Sequence, residues 1–320
     1  MLTYLLFIVG FVLLIKGADI LVSGASSIAK TLNVSDMVIG LTIVSLGTSM
    51  PELIVSTLST LQGNADIAIG NVLGSNVANI LLILGVAVMF YPLPIKDDTM
   101  LSEIPFSLAA ALLLGFLANA ALLVDKPKLM LSRIDGMVLL FFFFLFMLYI
   151  YRLVLQGASE EDVSGAEKPL SLPQSILFVL GGVAALFVGG KWVVDGAVKM
   201  ATAFGMSESL IGLTIVAIGT SLPELVTSAV AAYKKSTDIA VGNVVGSNIF
   251  NILWVLGISA MIRPLPFDVL NNTDILMVIF ASSMLLLVLA VGKKYTITRW
   301  KGIMFLLVYI AYLVYLVYRG

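Results

Sequence analysis

The sequence predicts an all-α integral membrane protein of ten transmembrane helices, arranged as two inverted five-helix repeats. Three observations carry that prediction. The 320 residues are 60% hydrophobic and 12% charged, with a mean hydropathy of +1.10, against about 25% charged residues in soluble domains. Ten stretches are long and apolar enough for a helix to cross about 30 Å of hydrocarbon, which takes roughly 20 residues. Residues 35–85 align without a gap on residues 207–257, at an offset of 172, with 28 identities in 51 positions. Five spans per repeat is an odd number, so the second repeat enters the membrane from the opposite face.

The spans follow in order. The first, at 3–28, lacks the basic start of a signal peptide, and its apolar pattern runs on through 17–29, past any plausible cleavage site. The next four are 37–61, 67–90, 102–121 and 134–154, separated by polar punctuation such as Asn33-Val34-Ser35-Asp36, Gln62-Gly63-Asn64 and Lys96-Asp97-Asp98. Residues 156–173, with Glu160, Glu161, Asp162 and Glu167, form a short acidic linker too small to be a domain. It divides the chain into a first half, 1–155, and a second, 174–320, whose spans are 174–200, 209–233, 239–261, 272–291 and 300–318. Gly17 and Gly24 recur as Gly189 and Gly196 at 172, and Arg133-Ile134-Asp135-Gly136 resembles Arg299-Trp300-Lys301-Gly302 at 166, so the repeat reaches all five helices. The loops on the linker side hold ten Lys or Arg and those on the other side six. The positive-inside rule then puts the linker in the cytoplasm and both termini outside the cell membrane.

The most telling residues are polar ones in mid-membrane. Gly47-Thr48-Ser49-Met50-Pro51-Glu52 recurs as Gly219-Thr220-Ser221-Leu222-Pro223-Glu224. Gly70-Asn71-Val72-Leu73-Gly74-Ser75-Asn76-Val77-Ala78-Asn79 recurs as Gly242-Asn243-Val244-Val245-Gly246-Ser247-Asn248-Ile249-Phe250-Asn251. An ionisable group at that depth marks a functional site, and two copies point to one central site built from both halves. Proline removes an N–H and displaces the carbonyl four residues earlier. Freed carbonyls in a membrane must face protein, water or a cation. Thr48 with Glu52, Ser75 with Asn79, Thr220 with Glu224 and Ser247 with Asn251 are each four apart and share a helix face. With Ser49 and Ser221, the set offers two carboxylates, two amides and six hydroxyls.

The missing residue types narrow the chemistry. There is no cysteine and no histidine, which removes thiolate and imidazole metal sites and the usual proton relay. Oxygen-only ligands suit hard cations, and Ca²⁺ takes 6–8 oxygens. Two ionised glutamates in one dry pocket repel. One divalent cation neutralises both, and two or more Na⁺ do likewise, so the two ions exclude each other as exchange requires. The net charge of −1 offers no field for nucleic acid. No enzyme chemistry, cofactor or obligate protein partner is implied; the expected partners are the lipid bilayer and hard cations such as Ca²⁺, Mg²⁺ and Na⁺.

Other polar and small residues have plainer readings. Gly70/Gly74 and Gly242/Gly246 form G-x-x-x-G pairs for close helix packing. Asn71, Asn76, Asn243 and Asn248 either bind the ion or only bond between helices. Asp66 and Asp238 read as helix caps, Lys16 and Lys191 as snorkelling or pairing with Asp19 and Asp195, and the phenylalanines at 141–144 as lipid-facing.

The paired G-T-S-x-P-E and G-N-x-x-G-S-N-x-x-N motifs resemble the two alpha repeats of the Ca²⁺/cation antiporter superfamily. The Thr-Ser-x-Pro-Glu form is similar to that of the Na⁺/Ca²⁺ exchanger family, in a compact prokaryotic version, over essentially the whole chain. The resemblance implies a Na⁺/Ca²⁺ exchanger-like fold with a central four-site ion cluster. The ligands it implies are Ser45, Thr48, Ser49, Glu52, Ser75 and Asn79, with Ala217, Thr220, Ser221, Glu224, Ser247 and Asn251; Ser45 and Ala217 contribute backbone carbonyls. It also implies that spans one and six slide as a pair over the other eight. Some superfamily members, K⁺-dependent exchangers among them, carry aspartate where this chain has Asn251. Having amides at both Asn79 and Asn251 argues against K⁺ cotransport. The expected function is Na⁺/Ca²⁺ antiport by alternating access. H⁺/Ca²⁺ antiport on the same fold is the main alternative, with a glutamate-lined channel or an organic-solute transporter behind it.

Overall fold

In lipid every backbone N–H and C=O must be satisfied within its own segment, so apolar stretches of this length become helices. A computed structural model describes residues 2–96, 99, 101–120, 129–157, 170–204, 217–292 and 295–319. Most of the acidic linker and the first third of the expected seventh span lie outside the described residues.

The helices are α1 (Leu2–Leu32), α2 (Asp36–Thr48), α3 (Met50–Gln62), α4 (Ala65–Phe90), α5 (Glu103–Asn119), α6 (Arg133–Gln156), α7 (Leu172–Ala203), α8 (Ala217–Thr220), α9 (Leu222–Tyr233), α10 (Thr237–Ile262), α11 (Asn271–Ala290) and α12 (Arg299–Arg319). Among the described residues seven helices are long and apolar enough to cross a membrane, and the bent pair α2–α3 makes an eighth. The sequence count of ten is not reached for two reasons. The 17 residues of α5 extend about 26 Å at 1.5 Å per residue, short of the hydrocarbon thickness. Only α8 and α9 of the expected seventh span are described.

Burial sets the layers. The apolar stretches of α4 and α10 are 78% buried, whereas those of α1, α6, α7 and α12 are 22–33% buried. The two helices that carry the G-N-x-x-G-S-N-x-x-N motifs therefore form the centre, and apolar faces with Ile8, Phe141, Phe144, Leu177 and Leu307 look outward. The phenylalanine run divides: Phe143 turns inward, its ring 5.1 Å from Phe250 and 4.8 Å from Trp254. A helical period cannot point four consecutive side chains the same way.

α1 and α7 lie antiparallel along most of their lengths. The seam is lined by glycines seven apart, two helical turns, on one face of each helix: Gly10 lies against Gly189 and Gly17 against Gly182, while Gly24 packs on Ser175 and Phe178 and Gly196 on Phe7. A Cβ at Gly17 would stand 3.0 Å from the Gly182 carbonyl, and one at Gly182 2.8 Å from the Gly17 carbonyl. Small residues let backbones approach where lipid provides no hydrophobic drive. Polar bonds fasten both ends: Ser175 Oγ donates to Ser27 Oγ (2.9 Å) and Lys199 Nζ to Thr3 Oγ1 (3.0 Å).

Asp19 pairs with Lys234 across the fold (2.6 Å) rather than with Lys16 on its own helix, and Lys234 also donates to Ser23 Oγ at 2.8 Å. This pins α1 to the end of α9, along which it packs; its repeat mate α7 makes few contacts with α3. The expected caps at Asp66 and Asp238 are also corrected. Asn64 and Ser236 hold the N-cap positions, and Asp238 pairs with Lys96 at 2.9 Å.

Two short ladders close the ends: β1 (Leu93–Pro94) with β4 (Thr296–Ile297), and β2 (Met130–Leu131) with β3 (Leu265–Pro266). The register Leu93↔Ile297 maps onto Leu265↔Leu131 through the 172 and 166 offsets. Each repeat thus lends a strand to its counterpart.

Candidate ion-binding site

The membrane-centre motifs break their helices at matching points. Ser49 sits at φ −83°, ψ 6° between α2 and α3, and Ser221 at φ −87°, ψ 4° between α8 and α9. The axis turns by 47° from α2 to α3. Pro51 and Pro223 fall in the first turn of the second half-helix, where a missing N–H leaves no intrahelical bond unmade. The chain stops and restarts rather than kinking around a mid-helix proline. α4 and α10 also depart from regular geometry, with π-helical turns at Asn79–Ile83 and Phe250–Val255 that begin at or beside the last asparagine of each motif. Such turns recur at functional positions.

The residues singled out in the sequence converge. Glu52 and Glu224 are buried to 0% and 1% exposure. Ser75 Oγ (3.2 Å) and Ser221 Oγ (3.4 Å) donate to Glu52 Oε1, Ser49 Oγ donates to Glu224 Oε1 (3.0 Å), and Ser221 lies 3.1 Å from Ser75. Each break serine therefore reaches the carboxylate of the other repeat. Thr48 Oγ1 donates to Asn243 Oδ1 (2.9 Å) and Thr220 Oγ1 to Asn71 Oδ1 (3.2 Å), again across repeats. The Ser45 carbonyl accepts from the Ser49 N–H (2.9 Å), while Ser45 Oγ donates to the Leu41 carbonyl (2.7 Å). Ala217 opens α8 at the position matching Ser45.

Several buried side-chain atoms of the described residues lack a hydrogen-bond partner, and five of them lie in the central motifs. Glu52 Oε2, Glu224 Oε2, Asn79 Oδ1 and Asn251 Oδ1 are buried without a hydrogen-bond partner, as is Ser247 Oγ. The first four are acceptor-only oxygens, and they form two pairs related by the repeat. Burying an acceptor without a donor costs about 1–3 kcal/mol, more for a charged one. Four together favour a partner that brings positive charge. Among the described residues no group of three or more carboxylates, histidines or cysteines gathers anywhere. The centre therefore holds two carboxylates eked out with neutral oxygens, a composition suited to binding an ion and releasing it.

The four asparagines left open by the sequence make interhelical hydrogen bonds. Asn71 Nδ2 donates to Ser56 Oγ (3.0 Å) and Asn243 Nδ2 to Ser228 Oγ (2.9 Å). Ser56 and Ser228 were not singled out in the sequence. Their signal was present nonetheless, since they are the one identical pair between positions 54–65 and 226–237. Gly242 and Gly246 pack against α2, where a Cβ at Gly246 would stand 2.6 Å from Ser45 Oγ, but the packing expected at Gly70 and Gly74 is corrected: a Cβ at either would meet nothing within 4 Å.

Comparison with known proteins bears on the same architecture. The family model for "Sodium/calcium exchanger protein" matches residues 2–152 and 174–318. The chain is 42% identical over 315 residues to the putative antiporter CaxA of Alkalimonas amylolytica, covering 95% of each. It is 33% identical over 345 residues to the sodium/calcium exchanger MaX1 of Methanosarcina acetivorans, covering 98% of each. Solved structures of the sodium-calcium exchanger NCX_Mj superpose on it with a TM-score of 0.82 at 33% identity over 98% of both chains, as for the crystal soaked with 10 mM Na⁺ and zero Ca²⁺.

Proposed function

Since this chain belongs to the sodium/calcium exchanger protein family, an antiporter and not an enzyme family, we propose that it exchanges Na⁺ for Ca²⁺ across the cell membrane by alternating access at one central site. The observation that carries the reading is the set of four buried, unbonded acceptor oxygens on Glu52, Asn79, Glu224 and Asn251. In this reading the carboxylates neutralise one Ca²⁺ or are shared among several Na⁺. Thr48, Ser49, Ser75, Thr220, Ser221, Ser247 and the carbonyls of Ser45 and Ala217 complete the oxygen shell. Occupancy by one ion type excludes the other, which couples the two fluxes.

The proposed architecture is ten spans in two inverted halves, 1–155 and 174–320, joined by the linker at 156–173. Contacts near the span ends support it. Lys199 with Thr3, Lys96 with Asp238, Arg133 with the Ile262 carbonyl, and both strand ladders each join ends that share a face in a ten-span topology. The charge bias supports a cytoplasmic linker and outside termini. The glycine seam and its end fastenings suit α1 and α7 to moving as one body. The Lys234–Asp19 pair, with no equivalent at the matching Gln62 and Lys191, would hold that body closed against α9 at one end only.

Purified protein in Na⁺-loaded liposomes diluted into Na⁺-free buffer is expected to take up Ca²⁺, and choline-loaded liposomes are not. Uptake that needs internal Na⁺ and persists when the pH gradient is collapsed supports the proposal. Uptake that ignores Na⁺ and follows an imposed pH gradient moves the assignment to H⁺/Ca²⁺ exchange.

A further inference from the structure

We infer that Asn76 and Asn248, which offer no atom to the ion, are positioning residues that decide which end of the Asn79 and Asn251 amides faces it. The inference rests on the reading of Asn79 and Asn251 as ion ligands. An amide carries an acceptor at one end and two donors at the other. A ligand asparagine turned the wrong way presents N–H groups to a cation and repels it, so something must fix the rotation.

The fixing chain begins at a backbone carbonyl, which can only accept. Asn248 Nδ2 donates to the Asn76 carbonyl at 3.4 Å. That places Asn248 Oδ1 at the opposite end of its amide, where it meets Asn79 Nδ2 at 2.9 Å. An oxygen facing Asn79 demands the NH₂ end of that amide, so Asn79 Oδ1 is turned away from Asn248 and is left buried with no protein donor, free for the ion in this reading. The repeat-related chain is complete as well. Asn76 Nδ2 donates to the Asn248 carbonyl at 3.4 Å, Asn76 Oδ1 accepts from Asn251 Nδ2 at 3.2 Å, and Asn251 Oδ1 is left buried without a protein donor. All four asparagines are at most 1% exposed, so no bulk water competes for these bonds. The two relays cross, since each repeat's ligand is oriented by the other repeat. A shift between the halves at this contact would therefore disturb both amides together.

The test is a double-mutant cycle read by calorimetric titration of CaCl₂ into the full-length protein in detergent. Asn248→Ala is expected to weaken Ca²⁺ binding about tenfold, the size of effect carried by roughly one buried hydrogen bond. Asn79→Ala is expected to weaken it by at least as much. If Asn248 acts through Asn79, the double variant matches Asn79→Ala alone to within about twofold, because a relay with no amide to orient does nothing. A residue that merely packs the helices would add its effect in both backgrounds. Additive losses, or unchanged binding in Asn248→Ala, overturn the inference and leave the ligand reading standing. Absence of Ca²⁺ binding by the unmodified protein, or full binding by Asn79→Ala, overturns the ligand reading and the inference with it. Should Asn248→Ala fail to fold, the cycle of Asn76→Ala with Asn251→Ala makes the same prediction and is judged by the same outcomes.

Discussion

Glu52→Gln and Glu224→Gln each reduce Ca²⁺ transport at least about a hundredfold while the protein remains folded. Glutamine keeps the shape of the side chain and can still accept from Ser75 or Ser49, so packing around the breaks in the helices is preserved. What is lost is one of two negative charges facing a divalent cation. Even at an effective dielectric of 20 a unit charge pair at 4 Å is worth about 4 kcal/mol, and about 1.4 kcal/mol is already tenfold in affinity. The cost falls on ion binding alone, since removing a buried carboxylate relieves the fold of an unpaired charge. Ca²⁺ uptake into liposomes, with size-exclusion profiles and thermal midpoints of the same preparations, separates the two effects. Near-normal uptake by both variants would remove these residues from the site.

Gly246→Val disrupts the centre by overfilling it. The added Cβ would stand 2.6 Å from Ser45 Oγ and 2.7 Å from the Leu41 carbonyl, and neither neighbour is free to move. Ser45 Oγ is already bonded to that carbonyl at 2.7 Å, and both belong to α2, which packs along α10. The relief available is to push α2 outward, which draws Thr48 from Asn243, now 2.9 Å apart, and shifts the Ser45 carbonyl. Overpacking a tight core costs about 1–3 kcal/mol, so a fall in thermal midpoint and a loss of transport of about tenfold or more are expected. Ile134→Val, at a lipid-facing position 70% exposed, is the control and should leave both unchanged. A Gly246→Val protein with control-like stability and transport would mean that α2 is not held where the structure has it.

Much of this was legible in the sequence because two copies of one pattern reported on each other. A proline beside a glutamate within apolar sequence announces a broken helix whichever tertiary contacts it makes, and the breaks fall at Ser49 and Ser221. What could not be read was pairing across distance. Asp19 has Lys16 one turn away on its own helix, and only the packing of α1 on α9 reveals Lys234 as its partner. Asn79 shares a helix face with Ser75, but whether Asn76 binds the ion or only bonds between helices was open in the sequence, since both are amides on α4. They differ in what the opposite repeat brings up to them: a backbone carbonyl for Asn76, an amide oxygen for Asn79. Phe143 was misassigned for a related reason. Four phenylalanines in a row read as a lipid face, although the 100° step between neighbours must turn one inward. The ten-span count rests on hydropathy, which carries no information on where α5 stops.

The most direct measurement is anomalous diffraction from crystals held first in Ca²⁺ and then in Na⁺ without Ca²⁺. One strong Ca²⁺ peak is expected between Glu52 Oε2 and Glu224 Oε2, at about 2.3–2.6 Å from the carboxylate oxygens, and it disappears on transfer to Na⁺. A Ca²⁺ peak away from both glutamates, or one that persists in saturating Na⁺, would contradict exchange at a single shared site.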